Sequence, residues 1–377
     1  MPLDRVLILT NPLNHEGGIV NYYNLFFKHF DSDVISLKHG SIGSRAYLFY
    51  FPVLKRLLYP FYYLVDVVIY VLKLLFDRKI KIVQVSPSLI PVPLIRDGLL
   101  VILAKLLGKK VVVFYRGWKL PTYNILLNNS RYKSLFNWVF QNDTLQFVLA
   151  SSFKKDLLQL VPNKIDQIIV TTTAIDRTEI VKLKTRADSE VIRILFLGRV
   201  QNLKGIEELI ETIRLLNQNG QLYKFQFSIV GHENKTGYID LLKENLKAHN
   251  VPLEHVSFLG RITGKDKFEL YANHDVYVLP SYTEGCPNSI SEALATGLFC
   301  ITTRVGALSD LIIPKDNGLF VNVKDSEDLL EAFRYCVDNE NFNEKRDANS
   351  ERYSDEFDIN KITKLFEAKY IKLIEKI

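Results

Sequence analysis

The feature that most constrains this chain is a three-part pattern that occurs twice: a short apolar run, a glycine-bearing turn, and a stretch of helical periodicity. The first copy is Arg5–Thr10, the turn Asn11–Gly18 and a helical pattern from Ile19 to about Phe30. The second is Val191–Leu197, the turn from Gly198 to Gly205, and a helix expected from about Gly205 to Asn217. Short apolar runs ending in turns read as strands buried on both faces of a parallel sheet. Further strands are expected at Val34–Leu37, Ile80–Val85, Lys110–Tyr115, Phe147–Ala150 and Ile168–Thr171, with a helix over Pro93–Leu107. After the restart come Phe225–Val230, Val256–Leu259, Val276–Leu279 and Cys300–Thr302. Strands alternating with helices predict an α/β chain with two doubly wound, Rossmann-like sheets, ligands being held at the carboxyl ends of the strands in a cleft between them.

The length of 377 residues suits two domains. The polar stretch Glu179–Glu190 reads as a linker, placing an N-terminal domain at 1–185 and a C-terminal domain at 186–358. The amphipathic helix 359–377 is expected to follow and to pack back on the first domain. Hydrophobic residues at 47% and charged residues at 24% exclude a largely disordered chain. Cys286, Cys300 and Cys336 have no disulfide or zinc spacing, and the first strand leaves no room for a signal peptide. The expectation is a cytoplasmic protein.

Charge divides the chain. Residues 1–180 hold 22 Lys+Arg against 12 Asp+Glu, a net of +10, and residues 181–377 hold 26 against 30, a net of −4. A basic first half is suited to an anionic partner: nucleic acid, an anionic membrane or a phosphorylated lipid. Within it, Tyr47–Phe76 carries ten aromatic residues, interspersed or flanked by Arg45, Lys55, Arg56, Lys73, Arg78 and Lys79. Three readings stand. It crosses a membrane, although Pro60, Asp66 and Lys73 interrupt the run; it packs on the first sheet; or it lays aromatics and cations on an anionic membrane surface.

Two motifs carry chemistry. Gly198-Arg199-x4-Lys204-Gly205 follows a strand and opens a helix. Glycine lets the backbone approach a ligand, the helix N-terminus offers amides and partial positive charge, and two cations lie in the same turn, a combination suited to a diphosphate. Glu284-Gly285-Cys-Pro-Asn288-Ser289-Ile-Ser-Glu292 follows the strand Val276–Leu279. Ser289-x-x-Glu292 reads as a capping box, so a helix is expected to start at Ser289 and to end at Gly297. Glu284 then lies in the loop and Glu292 in the first turn, where carboxylates can accept hydrogen bonds from hydroxyls.

These motifs, with Gly260-Arg261 between them, the lead-in Asp275–Ser281 and the later segments Gly306–Ile312 and Asn317–Val321, resemble the retaining, nucleotide-sugar-dependent glycosyltransferases of family 4. The likeness is specific over about 190–335. It implies the GT-B fold, two Rossmann-like domains facing across a cleft. It implies that Arg199 and Lys204 bind the donor diphosphate, Glu292 the ribose and Glu284 the transferred sugar. Gly198, Gly285, Asn288 and Ser289 would line the phosphates, Arg261 and Ile262 would hold the base, and Gly17 and Gly18 would lie near the diphosphate. The donor would be a nucleotide sugar and the acceptor a lipid-linked or polysaccharide glycan. Neither a cofactor nor a metal would be required, and the partner would be the inner face of the cell membrane, not nucleic acid. Arg199, Lys204 and Glu284 are the catalytic candidates.

The chain departs from that family at one place. Relatives carry a histidine after the strand ending near Tyr115, where this chain has Arg116. Arginine is no base at neutral pH, but it can bind phosphate or a sugar hydroxyl. Arg116 and His15 are therefore candidate acceptor or sugar contacts. Asp31-Ser-Asp33 matches a metal-binding Asp-x-Asp but falls between a helix and a strand, so it reads as a turn. No G-x-G-x-x-G follows either opening strand, which argues against a nicotinamide enzyme. Two further functions compete with transfer: an epimerase acting on nucleotide sugars, and a noncatalytic subunit that binds nucleotide or lipid.

Overall fold

The computed structural model describes residues 3–15, 17–42, 52–141, 144–161, 165–181, 191–339, 342 and 344–375, without the side chains of 52–57 and 59. Arg45, Tyr47, Phe49, Tyr50, Phe51, the side chains of Lys55 and Arg56, and most of the expected linker lie outside the described residues. The chain divides into two compact units, Met1–Ala174 with Ile359–Ile377, and Ile175–Asp358. The division falls at Ile175, ahead of the polar stretch, because the Ile175 amide donates to the carbonyl of Phe357 (2.8 Å) within the second unit.

The first unit holds β1 (Asp4–Thr10), β2 (Ile35–Ser41), β3 (Ile80–Val85), β4 (Lys110–Phe114), β5 (Thr144–Val148) and β6 (Ile168–Val170). All pair in parallel, in the order β2-β1-β3-β4-β5-β6. The run Lys110-Val-Val-Val-Phe114 is buried from Val111 onward, as a strand covered by helices on both faces requires. Gln84, fully buried in β3, is satisfied from both sides: its amide donates to Tyr23 (3.1 Å), and Tyr370 donates to its carbonyl (2.6 Å). β2 runs four residues beyond the expected Leu37. Its Lys-His-Gly tail has little strand propensity, but pairing with β1 through Thr10 and Ser41 overrides it.

The last helix, Ile359–Ile374, belongs to this first unit. Phe366 stacks on Phe147 (centroids 4.1 Å apart) and meets Phe26 edge-on at 5.2 Å. The aromatic segment forms the helix Pro52–Phe76. One side packs on the helix Pro91–Leu106, with Tyr63 and Tyr70 donating to the carbonyls of Arg96 (2.8 Å) and Leu100 (3.0 Å). The other side exposes Phe61, Leu64, Val68, Leu72, Leu75 and Phe76. Among the described residues no helix is long and apolar enough to cross a membrane. Asp31-Ser-Asp33 forms a turn in which the Ser32 hydroxyl accepts from the amides of Val34 (3.2 Å) and Ile35 (3.1 Å).

The second unit holds β7 (Ile192–Leu197), β8 (Phe225–Val230), β9 (Val256–Gly260), β10 (Val276–Leu279), β11 (Phe299–Thr303) and β12 (Gly318–Val321). Its parallel order is β12-β11-β10-β7-β8-β9. Counted within the unit this is 3-2-1-4-5-6, the order of dinucleotide-binding sheets, and its direction reverses between β7 and β10. At such a reversal the connecting segments leave to opposite faces and open a crevice at the carboxyl edge. The two motifs of this unit follow those two strands.

Candidate functional site

The turn after β7 is fixed by glycine chemistry. Gly205 adopts φ +72°, and a Cβ there would lie 2.1 Å from the Pro280 carbonyl oxygen. Gly231 adopts φ +146°, and a Cβ there would lie 1.7 Å from the carbonyl oxygen of Gly198. Only glycine satisfies both the positive φ and the missing space. These contacts seat the β7 turn against the segment after β10, and the Tyr282 amide donates across to Leu203 (3.1 Å). From this frame Arg199 extends into solvent, with no side-chain hydrogen bond or ion pair among the described residues.

Lys204 points at the β10 segment. Its Nζ lies 2.5 Å from Glu284 Oε1, and the Ser281 hydroxyl donates to the same oxygen at 2.7 Å. The Glu284 side chain is only 8% exposed. Gly306, at φ +58°, lies against the Glu284 and Gly285 carbonyls, where a Cβ would sit 2.4 Å from each oxygen. The Ala307 amide donates to Gly285 (2.8 Å). The acid loop is thus clamped from two sides before any ligand arrives.

The expected capping box is not formed. The helix runs Asn288–Thr296 with Pro287 at its N-cap and no side-chain cap, and Gly297 ends it at φ +92°. Ser289 is drawn away by Tyr277, whose hydroxyl donates to Leu197 (2.9 Å) and lies 2.7 Å from Ser289 Oγ. Glu292 is held instead by Lys267 (2.7 Å) and by the Tyr271 hydroxyl (3.0 Å). Burial raises the Tyr271 and Tyr277 phenols far above their usual range, so both remain neutral donors. Pro287 supplies an extended residue ahead of the helix, so no serine is needed for the start.

The second unit therefore gathers Gly198, Arg199, Lys204, Glu284, Gly285 and Ser289 around the β7/β10 crevice. Glu292 lies farther along the helix, with partners of its own. Arg261 and Ile262 follow β9, two strands from β7, and are tied in through Gly231, whose amide donates to Gly260 (2.7 Å). Asn288 opens the helix. His15, Gly17, Gly18 and Arg116 belong to the first unit. His15 and Gly17 lie in the turn after β1, Gly18 begins the helix Gly18–His29, and Arg116 follows β4.

Lys267, Tyr271 and Tyr277 escaped the sequence reading. The signal for the first two was present: Lys267 and Tyr271 are four residues apart, on one face of the helix Lys265–Ala272. Tyr282 and Tyr238 were also missed. They donate to Glu208 (2.5 Å) and Glu207 (2.6 Å) in the first turn of the helix Ile206–Gln218.

Residues 191–339 match the family model described as glycosyl transferases group 1. The match lies within the second unit. Among curated relatives, the D-inositol 3-phosphate glycosyltransferase of Pseudarthrobacter chlorophenolicus is 29% identical over 183 residues, 48% of this chain and 42% of that protein. The capsular polysaccharide biosynthesis glycosyltransferase CapM of Staphylococcus aureus is 28% identical over 152 residues, 40% and 37% of the two chains. The chain thus spans about two-fifths of the length of these relatives. Among solved structures, Anabaena HepE in complex with UDP superposes with a TM-score of 0.72 at 14% identity, over 98% of this chain and all of that one. The two sheets have the GT-B fold of glycosyl transferases.

Proposed function

We propose that the chain transfers a sugar from a nucleotide-sugar donor to a lipid-linked or polysaccharide acceptor in cell-surface glycan synthesis, with retention of configuration and without a metal. The observation that carries this reading is the β7/β10 crevice, where exposed Arg199 stands beside a turn containing Lys204, itself paired with Glu284. As a glycosidic bond to a diphosphate breaks, negative charge grows on the leaving oxygen. In this reading Arg199, Lys204 and the start of the helix Asn288–Thr296 stabilise it by fixed charge and dipole. In this reading Glu284 meets the hydroxyls of the transferred sugar and Glu292 those of the ribose. UDP in the Anabaena neighbour and the names of the two curated relatives support the same reading.

The acceptor assignment draws on the first unit. The helix Pro52–Phe76 exposes an apolar stripe, and the helix Pro91–Leu106 adds Val92, Ile95, Leu99 and Leu106. The helix Ser130–Phe140 adds Tyr132, Leu135 and Trp138. Neighbouring helices with outward apolar faces, on the half of the chain with net charge +10, are suited to a peripheral seat on an anionic membrane where a lipid-linked acceptor resides.

The test is to incubate the protein with a radiolabelled nucleotide sugar and a membrane extract. Label in the lipid or glycan fraction is expected. Label only in a free isomerised sugar nucleotide would make the protein an epimerase, and no conversion with any donor of a UDP and GDP panel would reduce it to a binding subunit.

A further inference from the structure

Among the described residues of the first unit, Arg116 is the cation whose surroundings its own fold leaves unexplained. It is 9% exposed, and its Nε and Nη1 are buried without a hydrogen-bond partner. No carboxylate pairs with it among the described residues. Its guanidinium carbon lies 4.0 Å from the ring centroid of Tyr22 and 4.9 Å from that of Phe114. The Tyr22 hydroxyl is likewise buried without a partner. Ring faces attract a cation but accept none of its N–H hydrogens in line, so the donors stay unsatisfied. A buried charge is normally paired, and leaving one unpaired is strongly unfavourable.

The position matters as much as the deficit. Arg116 follows β4 at the carboxyl edge of the first sheet, and its amide donates to Pro87 after β3 (3.2 Å). Tyr22 lies one turn inside the helix Gly18–His29, which starts without a side-chain cap or an acidic residue in its first turn. The sheet order reverses between β1 and β3, so that helix springs from the reversal point. Unsatisfied guanidinium N–H groups, a neutral phenol and a helix N-terminus thus share one edge, all favouring negative charge.

We propose that Arg116 is an anion receptor of the first unit, taking a phosphate or carboxylate group of the molecule bound there, with the Tyr22 hydroxyl as a second donor. The proposal deepens the transferase reading by making the first unit's ligand anionic near this edge: a phosphorylated carrier or an acidic sugar. It differs from a hydroxyl-binding role in requiring a full negative charge.

The experiment uses the full chain carrying Arg199→Ala and Lys204→Ala, which removes the anion-binding cations of the second unit. Inorganic phosphate, pyrophosphate, glucuronate and neutral glucose are titrated at constant ionic strength, with calorimetry and thermal shift as readouts. At least one of the three anions is expected to bind while glucose does not. Arg116→Gln should weaken that binding about 10-fold or more, Arg116→Lys should restore part of it, and Tyr22→Phe should weaken it without loss of folding. Phosphate or pyrophosphate binding identifies a phosphorylated ligand; glucuronate binding identifies an acidic sugar. If no anion binds, or if Arg116→Gln and Tyr22→Phe both bind as tightly as the parent, the proposal is overturned. UDP binding to the otherwise unaltered chain, measured in parallel, reports on the donor site alone, so either reading can fail while the other stands.

Discussion

Lys204 Nζ stands 2.5 Å from Glu284 Oε1, and this pair joins the turn after β7 to the loop after β10 across the point where the sheet reverses. Glu284 is 8% exposed and also accepts from Ser281, so its position is set before a ligand binds. In the proposed reading, a diphosphate entering the crevice would compete with Glu284 for Lys204. Lys204→Ala is expected to lower transfer at least about 100-fold by removing charge from the leaving diphosphate. Glu292→Ala should produce a comparable loss and also leave the Lys267 ammonium without its carboxylate. Steady-state rates across a donor panel, with circular dichroism as the check on folding, measure both. Wild-type turnover in both variants would remove the donor-site assignment.

Gly205 offers a purely steric test. An added Cβ would meet backbone at 2.1 Å in a left-handed conformation, whereas Gly237, also left-handed at φ +83°, has nothing within 4 Å. Gly237→Ala should cost about 1 kcal/mol, the conformational term alone. Gly205→Ala should cost roughly 3 kcal/mol or more, because Pro280 must move as well. Urea unfolding of the two variants separates the terms, and equal losses would show that the Pro280 contact yields easily.

Much of this was legible in the sequence because it rests on local chemistry. Buried parallel strands need apolar runs, and the glycines of the β7 turn mark the place where backbones meet, so β7, β8 and β10 fall close to where the pattern puts them. The capping box misled because Ser-x-x-Glu is a local signal, and two residues distant in sequence, Tyr277 and Lys267, claim its side chains. Helices such as Leu120–Asn128 and Arg346–Glu356 have no strong apolar stripe and were not singled out. The orphaned guanidinium of Arg116 could not be read from sequence either, since the absence of a partner is a property of the packed neighbourhood.

Phe366 tests whether the last helix completes the core of the first unit. It touches Phe26, Phe114 and Phe147 and is fully buried. Phe366→Ala should cost about 3–5 kcal/mol, from lost transfer energy and the void left behind. Deleting 359–377 should expose the same rings and drive the protein into the insoluble fraction. A soluble, cooperatively unfolding truncation would show that the helix contributes little.

His39 gives an acid-side signature. Its pKa lies below the ordinary 6.5, chiefly through burial and secondarily through the charge of Lys73, with a hydrogen bond to the Asn11 backbone opposing both. A base whose folded pKa is depressed binds protons more readily in the unfolded chain. Its contribution is therefore complete above pH 6.5 and is lost as the pH falls toward the folded pKa, by at most about 1.4 kcal/mol per pH unit crossed. His39→Gln should flatten this part of the stability profile below pH 6.5. Urea midpoints at half-unit intervals check it, and an unchanged slope would assign the acid sensitivity to other groups.

The proposed membrane seating rests on the outward face of the helix Pro52–Phe76. Leu64, Val68, Leu72 and Leu75 recur at spacings of three and four and are all exposed, so they form one stripe while Tyr70 and Leu74 face inward. An apolar stripe in water gains free energy when it enters the headgroup boundary, and nearby cations add attraction that salt screens. Leu64→Asp with Leu72→Asp changes nothing that packs inside, so stability should move by less than about 0.5 kcal/mol. Binding to vesicles containing anionic phospholipid should nevertheless fall at least about 10-fold, because each substitution removes apolar area and adds a repelled charge. Sedimentation at low and high salt separates the two contributions: the wild type should weaken with salt but retain an apolar remainder, and the double variant should lose that remainder. Equal sedimentation of both proteins would mean that this stripe does not meet the membrane.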